Sequence, residues 1–295
     1  MQYNPSWSDN REGEAMPVTI RGIDFEANRD NAMGLEFFDL SHRFGFQTPN
    51  WPYFQDVQIE RIHYMAKSGV LSQRITTTMH NGTHIDAPAH VVSGTPFIDE
   101  MPLPHFFGSG VVLDLPKKAW EQITGDDLER VGGKVVRPGD VVLINTGWHH
   151  KYEDNEEYFA YCPGLVPSAA HWLVERKVKV VGHDTQANDH PLATAIGPHR
   201  NGPLLPHLAQ EYLAWSGGRS WDLDFPEWEP VHRILFKNGI MGIENVGGEL
   251  DAVTGKRVTF AFFPWKWDRG DGCIVRLVAM TDPSQKYRIE SGATF

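Results

Sequence analysis

Only two cysteines, Cys162 and Cys273, occur in 295 residues, far apart and without C-x-x-C spacing. That argues against a zinc knuckle or a thiolate nucleophile, and both are expected as small buried hydrophobes. Positive charge is also scarce: 27 Lys and Arg stand against 38 Asp and Glu, a formal net charge of -11. A chain this acidic, with no basic run, carries no electrostatic footprint for nucleic acid. No apolar run nears the ~20 residues that a membrane span needs, and Met1 to Asn31 lacks the basic-then-apolar layout of a secretory signal. No membrane partner is expected, and the expected location is cytoplasmic. A G-x-S-x-G elbow is missing as well. Its nearest approach, Gly108-Ser109-Gly110, sits in a strand-like segment, so a serine nucleophile is not favoured.

What is present is a concentration of metal-competent side chains. His80-Asn81-Gly82-Thr83-His84-Ile85-Asp86-Ala87-Pro88-Ala89-His90 holds three histidines and an aspartate. His80 and His84 have the spacing of a helical zinc-protease motif, but Gly82 opposes helix and position 81 is Asn rather than Glu. An extended chain from His84 places His84, Asp86, Pro88 and His90 on one face, and a turn at Gly82 would fold His80 onto the same side. Imidazole nitrogens with a carboxylate suit zinc or manganese, and three protein ligands leave positions for water and substrate, as in a catalytic rather than a structural site.

Runs with β-branched or apolar content predict strands at 57–63, 72–78, 110–115, 140–145, 178–183, 240–245 and 273–280. Helical periodicity is clearest over 167–176 and over 229–238, the latter ending at Gly239 as at a C-cap. Helices preceding strands, with antiparallel-looking strands near the N-terminus, predict an α/β domain with a mixed sheet. Residues 1–38, polar and weakly periodic, are expected to be an N-terminal arm or subunit contact. The stretch 196–228, rich in Pro and in Trp215, Trp221 and Trp228, is expected to be an insertion that either lids a planar substrate or packs across a homo-oligomer interface.

The motif resembles the H-x-G-T-H-x-D-x-P-x-H signature of the metal-dependent cyclase family, which includes kynurenine formamidases, isatin hydrolases and cyclic-imide hydrolases. The resemblance extends to Asp39-Leu40-Ser41-His42, to Pro104–Asp114, to Gly139-Asp140-Val141-Val142-Leu143 with Thr146-Gly147-Trp148, to Pro163-Gly164-Leu165 and to Gly182-His183-Asp184-Thr185. It implies a single domain over 39–295 with the family's swivelling β/β/α fold. It implies further that His80, His84 and Asp86 hold one divalent ion, and that Asp86, His232 and Glu244 hold a second. The Phe262-Phe263-Pro264-Trp265 stretch looks more like the isatin-hydrolase-like members, in which one ion suffices. Zn2+ or Mn2+, one or two per subunit, both remain open. Where the family often reads D-T-x-S-x-D, this chain reads Asp184-Thr185-Gln186-Ala187-Asn188-Asp189, so a serine-dependent contact is not expected.

The function expected is hydrolysis of a C–N bond in a cyclic imide, a lactam or an N-formyl arylamine by metal-activated water. His90 is expected to move the proton, because imidazole titrates near neutrality, and Trp215, Phe263 and Trp265 to contact a planar or aromatic amide. Lactone hydrolysis or ring closure at the same site is the alternative enzyme reading, and a non-catalytic metal-binding scaffold is the alternative outside enzymes. A homo-oligomer, dimer or tetramer, is expected.

Overall fold

The computed structural model describes residues 33–295, together with the two-residue strands Thr19–Ile20 and Ile23–Asp24, which pair antiparallel. The expected arm over 1–38 therefore lies mostly outside the described residues. A compact unit spans Glu36–Phe295, and residues 36–38 belong to its main sheet rather than to an arm.

That sheet has nine strands, here β1 (Glu36–Asp39), β2 (His84–Asp86), β3 (Phe107–Asp114), β4 (Val141–Asn145), β5 (Val180–His183), β6 (Met241–Glu244), β7 (Arg257–Ala261), β8 (Gly272–Ile274) and β9 (Val278–Thr281). Their order is β8-β2-β6-β5-β4-β3-β7-β9-β1. The central four, β3 to β6, are mutually parallel, and every other pairing is antiparallel. Both faces of the parallel strands are covered, which is why 141–144 reads as an unbroken apolar run rather than an alternation. On one face Leu113, Val142, Ile144 and Val181 pack under three helices, α1 (Gly125–Gly132), α2 (Pro167–Glu175) and α3 (Pro230–Lys237). On the other, Val112, Leu143, Met241 and Ile243 meet Val258, Phe260 and Leu250.

The run 273–280 is not one strand. It divides into β8, at one edge, and β9, seven positions away in the strand order. In a flat sheet these would lie roughly 33 Å apart at ~4.8 Å per strand, but Val275, Arg276 and Leu277 can span only about 14 Å. The sheet must therefore curl until its ends approach. A bridge between Ser41 and Val246, with hydrogen bonds from Gly247 N to Leu40 O (2.9 Å) and from His42 N to Thr83 Oγ1 (2.9 Å), stitches that approach. Direct pairing of β2 with β6 on one side and β8 on the other assembles the histidine-rich segment with residues from the far end of the chain.

The stretch 196–228 carries structure of its own, with helices Leu208–Trp215 and Trp221–Asp224. Ile196, Leu208, Tyr212, Trp221 and Phe225 share an apolar cluster with Trp51, Trp120 and Leu192. The predicted strands at 57–63 and 72–78 form a separate antiparallel hairpin, Gln58–His63 with Ser72–Thr76.

Candidate metal centre

Gly82 takes φ +62, a left-handed turn open to glycine, and this reverses the chain between His80 and His84. His84 and Asp86 then lie on one face of β2, as the period of two requires. Directly across β6, Glu244 pairs with His84 and Gly242 with Asp86. His232 arrives from the first turn of α3. The residue signature and the distant pair therefore meet: His80, His84 and Asp86 form one group, and Asp86, His232 and Glu244 a second that shares the aspartate.

The donor geometry suits a coordination shell. His84 Nδ1 donates to Gly82 O at 2.8 Å, since a carbonyl can only accept, which turns Nε2 the opposite way. That Nε2 is buried and makes no hydrogen bond among the described residues, yet it lies 3.4 Å from both Asp86 Oδ1 and Glu244 Oε2. His232 Nε2 is 3.0 Å from Glu244 Oε1 and 3.5 Å from Asp86 Oδ2. Donors around an ion at ~2.1 Å stand roughly 3.0–3.4 Å apart. A buried imidazole whose only free atom faces two carboxylates fits a divalent cation. His80 is placed differently, because Nδ1 meets Asp86 Oδ1 at 2.6 Å and Nε2 meets Asp271 Oδ2 at 2.9 Å. With both nitrogens acting as donors, His80 holds a proton that an ion would have to displace.

Neighbouring residues fix these side chains. Asp189 accepts the backbone N–H groups of Val231 and His232 at 2.8 and 2.9 Å and the His232 Nδ1 proton at 2.6 Å, so it caps α3 and aims Nε2 in one stroke. Asn188 donates N–H and Nδ2 to Glu244 Oε1 at 2.8 and 2.9 Å. Gly272 leaves space for His80, whose Cε1 a Cβ there would meet at 2.7 Å.

The electrostatics follow from packing carboxylates among imidazoles. Burial alone would lower the histidines, but the Asp86 charge and its hydrogen bonds carry His80 up to about 9 and His84 up to about 10, with Asp271 adding to the first and Glu244 to the second. Burial and the Asp86 charge act to raise Glu244, yet His232 and His84 hold it down at about 2. The same field that attracts protons attracts a divalent ion in their place.

His90 reaches this centre by a different route from the one the period of two suggests. The strand stops at Asp86 and a 3-10 turn, Pro88–His90, follows. The turn stacks the His90 ring on His80 at 3.9 Å between centroids, with Nδ1 3.9 Å from Asp271 Oδ2. His90 lines a cavity together with His80, Asp86, His232 and Glu244, walled by Trp51, Tyr53 and Phe54 and floored by Gln186 and Ala187. Ala187 stands where the family pattern has serine, so no hydroxyl enters there.

The aromatic contacts expected of Trp215, Phe263 and Trp265 differ from those observed. Trp215 packs against Trp120 and Tyr212, at 5.9 and 5.4 Å between centroids. Phe263 stacks on exposed Phe107, and Trp265 borders a separate and larger cavity of about 810 Å³ beside Asp39, Ser41 and Ile274. Within one chain none of the three lines the histidine-bearing cavity. Composition pointed to the Trp-rich insertion, whereas the aromatic wall comes from residues 51–54. Asn188, Asp189, Asp271 and Glu229 also went unassigned from sequence, although Asn188 and Asp189 stand within the D-T-x-S-x-D-like segment.

A model of the family described as "Putative cyclase" matches residues 38–190. A kynurenine formamidase of Salinibacter ruber is 28% identical over 253 residues, covering 84% of this chain and 99% of that protein. An isatin hydrolase of Roseibium aggregatum is 22% identical over 226 residues, 68% of this chain and 71% of that protein. Among solved structures, an isatin hydrolase bound to the product analogue thioisatinate superposes with a TM-score of 0.67 at 20% identity, covering 85% of this chain and 94% of that one. With signature, fold and family match in agreement, the chain belongs to the cyclase family.

Proposed function

We propose that this protein is a metal-dependent hydrolase that opens the C–N bond of a cyclic imide, a lactam or an N-formyl arylamine. The observation that carries the reading is the pair of ligand groups sharing Asp86, with His84 Nε2 buried, unpartnered and facing two carboxylates. His80, His84 and Asp86 would hold one ion, and Asp86, His232 and Glu244 a second. Zn2+ and Mn2+ both suit this donor set. A bound divalent ion supplies a Lewis acid for a carbonyl oxygen and a water that loses its proton near neutral pH.

The remaining work falls to the chain. His90, partly open to the cavity and held by His80 and Asp271, takes the proton from the attacking water and returns it to the leaving nitrogen. Asp271 orients His90 and His80 together. Trp51, Tyr53 and Phe54 present aromatic surface to a planar substrate and keep bulk water from the site. The names of the relatives, isatin hydrolase and kynurenine formamidase, supply the amide class.

Metal analysis of Asp86→Ala tests the assignment. The variant is expected to lose its ions and, with them, turnover on lactams and formylanilides. A full metal complement in the purified variant would contradict it.

A further inference from the structure

Glu229 precedes α3 by one residue and takes φ 42, ψ 52, the left-handed region that non-glycine residues rarely occupy. Such a conformation is costly and persists where surrounding structure imposes it, often at ligand sites. Here the imposing contacts are visible. Glu229 N–H is held by Ala193 O at 2.8 Å, Pro230 fixes the next residue, and the preceding Trp228 ring is in contact with the Arg200 and Arg233 guanidinium groups, at 3.4 and 4.4 Å from its centroid.

The clamp turns the Glu229 side chain into the cavity that holds His90, His232 and Glu244. Its carboxyl makes no hydrogen bond or ion pair among the described residues, whereas Asp86, Asp189, Glu244 and Asp271 are each committed to histidines. A half-buried acceptor with no protein donor beside a hydrolytic centre is suited to a donor on the ligand. Of the groups around a scissile amide, the carbonyl oxygen offers none, and the adjacent N–H offers one.

We propose that Glu229 receives the N–H of the scissile amide, so that the cavity selects unsubstituted cyclic or aryl amides over their N-alkyl counterparts. This rests on the amide-hydrolase reading above. It makes Glu229 a substrate-positioning residue rather than a metal ligand, since it belongs to neither ligand group.

The test uses the metal-loaded full chain with isatin and N-methylisatin, a pair whose ring locks the amide geometry and which differs at the N–H. Dissociation constants are read by stopped-flow tryptophan quenching before turnover, and kcat follows separately. At pH 9, above the value of about 7 to which burial pushes Glu229, wild type is expected to bind isatin on the order of 10- to 100-fold more tightly, the range for a hydrogen bond to a charged group. In Glu229→Gly, whose backbone is at ease at this φ, the ratio should fall to within about threefold through weaker isatin binding, with metal content unchanged. Glu229→Gln, a neutral acceptor of the same shape, should fall between.

A ratio that persists in Glu229→Gly overturns the proposal. So does one that collapses because N-methylisatin gains, which would make Glu229 a steric wall. Wild type that binds neither compound, or both equally, overturns it too. Discrimination without hydrolysis of isatin would leave the N–H contact standing and remove the hydrolase reading alone.

Discussion

His84 and His80 reach the same Asp86 carboxylate with different hydrogen-bond partners. His84 donates its Nδ1 proton to Gly82 O and turns Nε2 toward Asp86 and Glu244 without a hydrogen bond, whereas His80 donates at both nitrogens, to Asp86 and to Asp271. Asp271 thereby links His80 to His90 while belonging to neither of the two groups that share Asp86. His90→Ala should lower turnover by on the order of 10²–10⁴-fold, the usual contribution of a proton-transfer group, while metal content by elemental analysis stays at the wild-type value. Parallel loss of metal and rate would make His90 a ligand. At this scale the sequence was legible where the chemistry was local: His80, His84, Asp86 and His90 fall within eleven residues. His232 and Glu244 stood out only through family resemblance. Asp271 and Asp189 were not legible, because each acquires its role only when folding brings it to His80 or to His232 from a distant stretch of chain.

At the scale of elements, the centre depends on β8 lying against β2 with nothing between Gly272 and His80. In Gly272→Ala the new methyl would meet His80 Cε1 at 2.7 Å and Ile85 O at 2.9 Å. His80 is the softer neighbour and should yield, so the variant is expected to remain folded by circular dichroism but bind metal about 10- to 100-fold more weakly, as when a residue that supports a ligand is altered. Unchanged affinity would show that His80 is not needed in its observed position. The central strands were readable from their apolar runs because burial on both faces removes alternation. The split of 273–280 into β8 and β9 was not, since both pieces are apolar and the turn between them, Val275 to Leu277, is apolar on either side of Arg276. Periodicity reports burial, and burial does not say which edge of a curled sheet a strand joins.

For the whole molecule, the raised histidines set a pH dependence with a definite sign. Their folded pKa values, about 9 for His80 and about 10 for His84, exceed the ~6.5 of an unfolded imidazole. The metal-free protein therefore keeps this stabilisation in full below pH ~6.5 and loses it as pH rises through about 9 to 10. A bound divalent ion satisfies the same carboxylates without protons, so the gap in Tm between metal-loaded and metal-free protein should widen from pH 6.5 to 9 by scanning fluorimetry. A gap that stays constant or narrows would contradict the electrostatic account. Beyond stability, no helix among the described residues is long and apolar enough to cross a membrane. The most direct test of the centre as a hydrolytic site is the rate of aryl-lactam hydrolysis by chelator-stripped protein as Zn2+ or Mn2+ is added back. The stripped protein should be inactive, and activity should return and saturate at one or two equivalents per chain. Activity that survives stripping, or that fails to return at any metal level in folded protein, would contradict the account.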